Sequence, residues 1–129
     1  MGKRILVVDD DRDLVETLTE SLEAEGFEVL AAHDGVECWD LIKRGKPDLI
    51  VLDVMMPNKH GYQVAKELEN SEYSGIPLVM LTGVADHIRE TNYNHAQALE
   101  CQADDFISKP LNIDVLLKSI GKLLKSDRR

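Results

Sequence analysis

Ile5-Leu6-Val7-Val8-Asp9-Asp10-Asp11 stands near the N-terminus, and Asp48-Leu49-Ile50-Val51-Leu52-Asp53 repeats its form further on. In each, a short unbroken apolar run ends on aspartate. Such a run suits a strand buried on both faces, as in a parallel sheet held between helices. What lies between the runs supports this. Asp11–Glu25 carries Leu14, Leu18 and Leu22 at a spacing of four, with Val15, which is one apolar helix face, and Gly26 marks its end. Phe27–Ala32 reads as a second strand. Asp34-Gly35-Val36-Glu37 has the form of a capping box opening a helix that ends near Gly45.

After the third strand, Leu49–Leu52, Pro57 and Gly61 mark a loop. Gly61, Val64, Ala65 and Leu68 then form a helical stripe. Leu78–Leu81 is the fourth strand, a long polar helical stretch covers about Ala85–Cys101, and Phe106-Ile107 is a short fifth strand. Asn112 caps a last helix with Ile113, Leu116, Leu117, Ile120, Leu123 and Leu124 on one face. Five strands alternating with five helices predict an α/β fold with a parallel sheet covered on both sides.

The 129 residues suit one domain, taken as 1–129. Fifteen basic against 24 acidic residues give a net charge of −9, which argues against direct nucleic-acid binding and against an anionic membrane surface. No apolar run approaches the roughly 20 residues that span a bilayer. Cys38 and Cys101 lack disulfide or zinc spacing and read as small hydrophobes in a reduced cytoplasm. His33, His60, His87 and His95 show no metal-ligand spacing and read as surface or loop residues.

Ligand sites in parallel α/β sheets lie outside the carboxyl ends of the strands. Asp9, Asp10 and Asp11 follow the first strand, Asp53 ends the third, Thr82 the fourth and Lys109 the fifth. Taken singly, the aspartates are ordinary caps. Together, carboxylates about 4 Å apart repel by roughly 4 kcal/mol at an effective dielectric of 20, and call for a cation or raised pKa values. A hard divalent ion, above all Mg²⁺, fits oxygen donors and leaves room for a phosphoryl group.

At this point the chain resembles the receiver domains of two-component response regulators. Asp9-Asp10-Asp11, Leu52-Asp53-Val54-Met55-Met56-Pro57, Leu81-Thr82-Gly83 and Asp104-Asp105-Phe106-Ile107-Ser108-Lys109-Pro110 carry the resemblance, which covers essentially the whole chain. It implies a doubly wound, flavodoxin-like (βα)5 fold with strand order 2-1-3-4-5. It also implies a regulatory domain, catalysing only its own phosphorylation and dephosphorylation, in the cytoplasm. Asp53 would be the phosphoacceptor. Asp9, Asp10, Asp53 and the Met55 backbone carbonyl would hold Mg²⁺ or another divalent ion such as Mn²⁺. Thr82, the Gly83 backbone and Lys109 would bind the phosphoryl group, and Thr82 with Phe106 would be the switch. The implied partners are a sensor histidine kinase or histidine phosphotransfer protein and a downstream effector protein or domain, contacted through the face of the last two helices and the fifth strand. Phosphorylation-dependent homodimerisation is common in such domains. After Leu124 only Lys125-Ser126-Asp127-Arg128-Arg129 remain, which fits a stand-alone receiver or one cut from a longer regulator.

The sequence departs from the family pattern in places. Phe106 stands where tyrosine is frequent, the Thr82–Lys109 span is long, Gln102 replaces a usual glycine, and Lys59-His60 replaces Met-Asp. Met55 and Val84, which flank the path of hydrolytic water in the family, are apolar, predicting slow hydrolysis of an aspartyl phosphate. Two other functions fit parts of the pattern. Asp9-x-Asp11 with Thr82 and Asp104-Asp105 mimics a haloacid-dehalogenase-type phosphatase, although Asp13 and the place of Lys109 do not fit it. The other is a receiver-like interaction module that is never phosphorylated. A flavin module is weaker, because no Ser/Thr/Gly-rich loop follows the first strand.

Overall fold

The computed structural model describes residues 2–56, 60–83 and 103–125. Within them the order is β1 (Arg4–Val8), α1 (Arg12–Ala24), β2 (Glu28–Ala32), α2 (Gly35–Arg44), β3 (Leu49–Asp53), α3 (Gly61–Glu69), β4 (Leu78–Thr82), β5 (Asp105–Ser108) and α4 (Ile113–Lys125). The five strands are parallel and lie in the order β2-β1-β3-β4-β5. The expected strands and four of the five expected helices are present, with strand ends shifted by at most one residue. The helix expected over about Ala85–Cys101 lies outside the described residues, as do Lys59, Val84, His87, His95, Cys101 and Gln102.

Strand alternation sorts the apolar runs onto two faces. Leu6, Val8, Ile50, Leu52 and Met80 join α2 and α3 through Cys38, Ile42, Val64 and Leu68. Ile5, Val7, Leu49, Val51, Val79, Leu81 and Ile107 join α1 and α4 through Val15, Leu18, Leu22, Leu116 and Ile120. Both faces are covered, so the strands carry no polar alternation.

The helix ends follow from named residues. Asp11 accepts from the Leu14 amide and caps α1. The helix stops in a Schellman motif: Gly26 N–H donates to the Glu23 carbonyl and Phe27 N–H to that of Leu22, with Gly26 at φ 94°. Asp34 caps α2 by accepting from the Glu37 amide. Glu37 does not complete the box on Asp34; its carboxylate accepts from the His33 amide, one residue earlier, at 2.7 Å. Asn112 accepts from the Asp114 and Val115 amides and opens α4. Cys38 is buried, as expected. His33 and His60 are only partly exposed.

Candidate functional site

The parallel register fixes which side chains meet at the carboxyl edge. Asp53 is the last residue of β3, level with Leu81, and Val54 N–H donates to the Leu81 carbonyl. Thr82 is level with Ser108, and Lys109 N–H donates to the Thr82 carbonyl at 2.7 Å. On the other side Asp9 N–H donates to the Ala32 carbonyl, leaving the side chain one step past β1. Backbone bonds thus tie the end of β1 to β2, that of β3 to β4 and that of β4 to β5, and β1 lies beside β3 with Val8 level with Leu52. The Lys109–Pro110 peptide is cis.

Asp9 is fully buried, Asp53 is 3% exposed and Thr82 is 2% exposed, while Asp10 stands at the surface. One oxygen of each of Asp9, Asp10 and Asp53 lies within 4.8 Å of the others. Lys109 Nζ is 2.9 Å from Asp9 Oδ2 and 3.2 Å from Asp53 Oδ1. The second oxygen of Asp9 accepts from the Asp11 amide, which holds its carboxylate in place.

Burial first, then the charge of Asp9, pushes the Asp53 carboxyl from 3.8 up to about 7, against the pull of Lys109. Burial alone would lower Lys109. Its hydrogen bond with Asp9 and the charges of Asp53 and Asp9 outweigh that and hold the ammonium above the ordinary lysine value. Three carboxylates against one ammonium leave two negative charges when all are ionised, the charge of one divalent ion. The donors are hard oxygens, and Asp53 is strained toward its neutral form without further positive charge. The residues present therefore fit Mg²⁺ or Mn²⁺.

The sequence-predicted residues divide clearly. Asp9, Asp10, Asp53 and Lys109 come together, Thr82 is joined to Lys109 by its backbone, and half-buried Gly83 and Met55 follow Thr82 and Asp53. Asp11 belongs to the helix cap. Phe106 is 43% exposed, and β5 alternation puts it on the sheet face opposite that of Ile107.

Three residues have structural roles here that the sequence reading did not assign to them. Asp104 holds the opposite edge: its carboxylate accepts from the Leu78 amide at 2.8 Å and its own amide donates to the Leu78 carbonyl at 2.7 Å. Asp105 accepts from the buried Ser119 hydroxyl at 2.6 Å, tying β5 to α4. Both acids lie at the amino end of β5, away from Asp9, and a dehalogenase-type phosphatase would need them beside it. Gly61 N–H donates to the Val54 carbonyl at 2.7 Å, and a Cβ on Gly61 would stand 2.1 Å from the Asp53 carbonyl oxygen. The loop after Asp53 thus closes directly onto its backbone. The glycine itself was visible in the sequence as a loop marker, but its reason is this contact.

Comparison with known proteins agrees with this geometry. The response regulator receiver domain model matches residues 5–121. Response regulator MprA of Mycobacterium bovis (strain BCG / Pasteur 1173P2) is 40% identical over 125 residues, covering 97% of this chain and 52% of the relative. MprA of Mycobacterium avium (strain 104) is 40% identical over 122 residues, 95% of this chain and 51% of the relative. The chain spans about half the length of these curated relatives. Among solved structures, the signal receiver domain of a signal transduction histidine kinase from Syntrophus aciditrophicus superposes with a TM-score of 0.89 at 32% identity, covering 99% of this chain and 94% of that one. Response regulator protein TrrA from Thermotoga maritima, in complex with Mg(2+)-BeF, gives 0.77 at 33% identity, covering 94% and 98%. With the strand order, the acidic pocket and the matched sequence in agreement, the chain belongs to the receiver domains of two-component response regulators.

Proposed function

We propose that Asp53 accepts a phosphoryl group from a phosphohistidine on a sensor histidine kinase or histidine phosphotransfer protein, in the cytoplasm. The observation that carries this is the Lys109 ammonium held between buried Asp9 and Asp53, with Asp10 alongside. An Asp53 oxygen attacks phosphorus, the P–N bond breaks, and its electron pair stays on the imidazole. Asp9, Asp10, Asp53 and the Met55 carbonyl would hold a divalent ion, which would supply the charge that keeps Asp53 ionised and offsets that of the phosphoryl oxygens. The solved relative TrrA, in complex with Mg(2+)-BeF, supports magnesium as that ion.

Lys109 then exchanges part of its pairing with Asp53 for a phosphoryl oxygen. The Thr82 hydroxyl and the Gly83 N–H donate to the remaining oxygens. Movement of Thr82 lets the exposed Phe106 ring swing inward behind it, and the effector reads the altered β5 face. Phe106 carries no hydroxyl, so the switch rests on packing. The chemistry is confined to the domain's own phosphorylation and dephosphorylation, and residues 1–129 act as one regulatory domain.

The test is labelling with a small-molecule phosphodonor and Mg²⁺, followed by mass spectrometry. Wild type gains one phosphoryl group, and Asp53→Asn and EDTA-treated wild type gain none. Labelling that survives Asp53→Asn defeats the assignment, and a folded wild type that never labels favours the unphosphorylated module. Because Met55 and Val84 are apolar and cannot orient water, the label decays slowly; a lifetime of seconds contradicts that part of the reading.

A further inference from the structure

Two columns of opposite charge stand on the outer surface of the layer formed by α1 and α4. On α1 the exposed side chains Asp13, Glu16, Glu20 and Glu23 are spaced 3-4-3, which makes one straight column about 15 Å long. On α4 the exposed Val115, Lys118, Lys122 and Lys125 have the same 3-4-3 spacing. Both columns lie opposite the buried stripes, Val15-Leu18-Leu22 and Leu116-Ile120, so both point away from the sheet. Among the described residues, none of these acids or lysines forms an ion pair. Within each column like charges three and four residues apart repel, and among the described residues no ion pair relieves them.

We propose that this face pairs with the same face of a second copy of the chain, whether or not Asp53 is phosphorylated. Both helices return from parallel strands and so run in the same direction. A two-fold axis parallel to them sets α1 of each copy against α4 of the other, and the acidic column meets the lysine column twice. In the proposed pairing the equal spacings match Glu16 to Lys118, Glu20 to Lys122 and Glu23 to Lys125. Asp13 comes level with Val115, which is 50% exposed and is covered by the pairing. A two-fold axis across the helices would set acid against acid. An unrelated partner matching one column would leave the other unpaired, whereas a second copy supplies both columns with the right spacing. Exposed ion pairs are individually weak, and the net charge of −9 opposes self-association, so the dimer is reversible.

Sedimentation or light scattering on the full chain over a concentration series tests this. At about 0.1 M salt, where charges act over roughly 10 Å, the wild type is expected to dimerise; at about 1 M, where they act over roughly 3 Å, it should dissociate. Two double variants decide the face: Glu16→Lys with Glu20→Lys, and Lys118→Glu with Lys122→Glu. Each alone is expected to be monomeric, because two of the three charge pairs in each α1–α4 crossing then set like against like. Mixed together they should form a heterodimer, since every contact again joins opposite charges, and that rescue also shows both variants to be folded. A wild type that stays monomeric overturns the proposal, as does association that neither variant abolishes, a mixture no better than its components, or binding of a lysine-rich peptide without self-association.

Discussion

Lys109 compensates two buried carboxylates at once, and the compensation is incomplete: Asp53 still reaches a pKa of about 7. A carboxyl whose folded pKa lies above its unfolded value contributes stability that is full below the unfolded value, here 3.8, and is lost as pH rises through about 7. Asparagine at this position has no charge to desolvate. Asp53→Asn is therefore expected to unfold at higher urea than metal-free wild type at pH 8, with the gap closing toward pH 4. The scale is about 1.4 kcal/mol per pH unit between the two values, a few kcal/mol in all. Parallel stability curves from pH 4 to 8 would remove burial as the cause of the shift. Gly61 acts on the same aspartate from the backbone side. A methyl group there meets the Asp53 carbonyl oxygen and the Val54 Cα, so the loop or α3 must move. Gly61→Ala should lose about 1–3 kcal/mol of stability, as overpacked sites do. It should also slow phosphodonor labelling of the fraction that remains folded; unchanged labelling would show that the loop yields without disturbing Asp53.

At the scale of elements, the strands were legible because both faces of a parallel sheet are covered, and burial writes each strand as a continuous apolar run. The same signal placed the ends one residue short at Asp53 and Thr82, which belong to the ladder but carry the site's polar side chains. Asp9, Asp10, Asp53 and Lys109 could be gathered because the fold rule says where strand ends converge. Asp104 could not be read in this way. Its role depends on β5 lying beside β4, which brings together residues 26 apart in sequence, and a polar residue before a short strand looks like any turn. Glu37 shows the same limit on a smaller scale, since the turn geometry and not the spacing chose His33 as its partner. Asp104 anchors the amino end of β5, while the site lies at its carboxyl end. Asp104→Ala leaves the Leu78 amide without its acceptor and should lose about 1–3 kcal/mol in chemical denaturation. Mg²⁺ affinity of the folded variant should stay near wild type; a tenfold loss would mean that the anchor also sets the position of Lys109.

For the molecule as a whole, the net charge of −9 divides into surface acids, balanced locally or by solvent, and a pocket in which burial makes charge expensive. That pocket couples the fold to pH and to cations together. Binding a divalent ion requires ionised carboxylates, so protons and metal compete for Asp53. Below about 7 the metal-free protein carries a proton there, and binding must release it. The apparent Mg²⁺ association constant should then rise close to tenfold for each pH unit up to about 7 and level off above it. Calorimetric titration at pH 5.5, 6.5, 7.5 and 8.5 measures this, and proton release should be near one per ion at the lowest pH and fall toward zero at the highest. Saturating Mg²⁺ should raise the unfolding midpoint at pH 8 according to the logarithm of its excess over the dissociation constant, and EDTA should reverse the gain. In Asp53→Asn the proton competition disappears, leaving a weaker affinity that is flat over this range. A pH dependence that persists in the variant would mean that the titrating group is not Asp53.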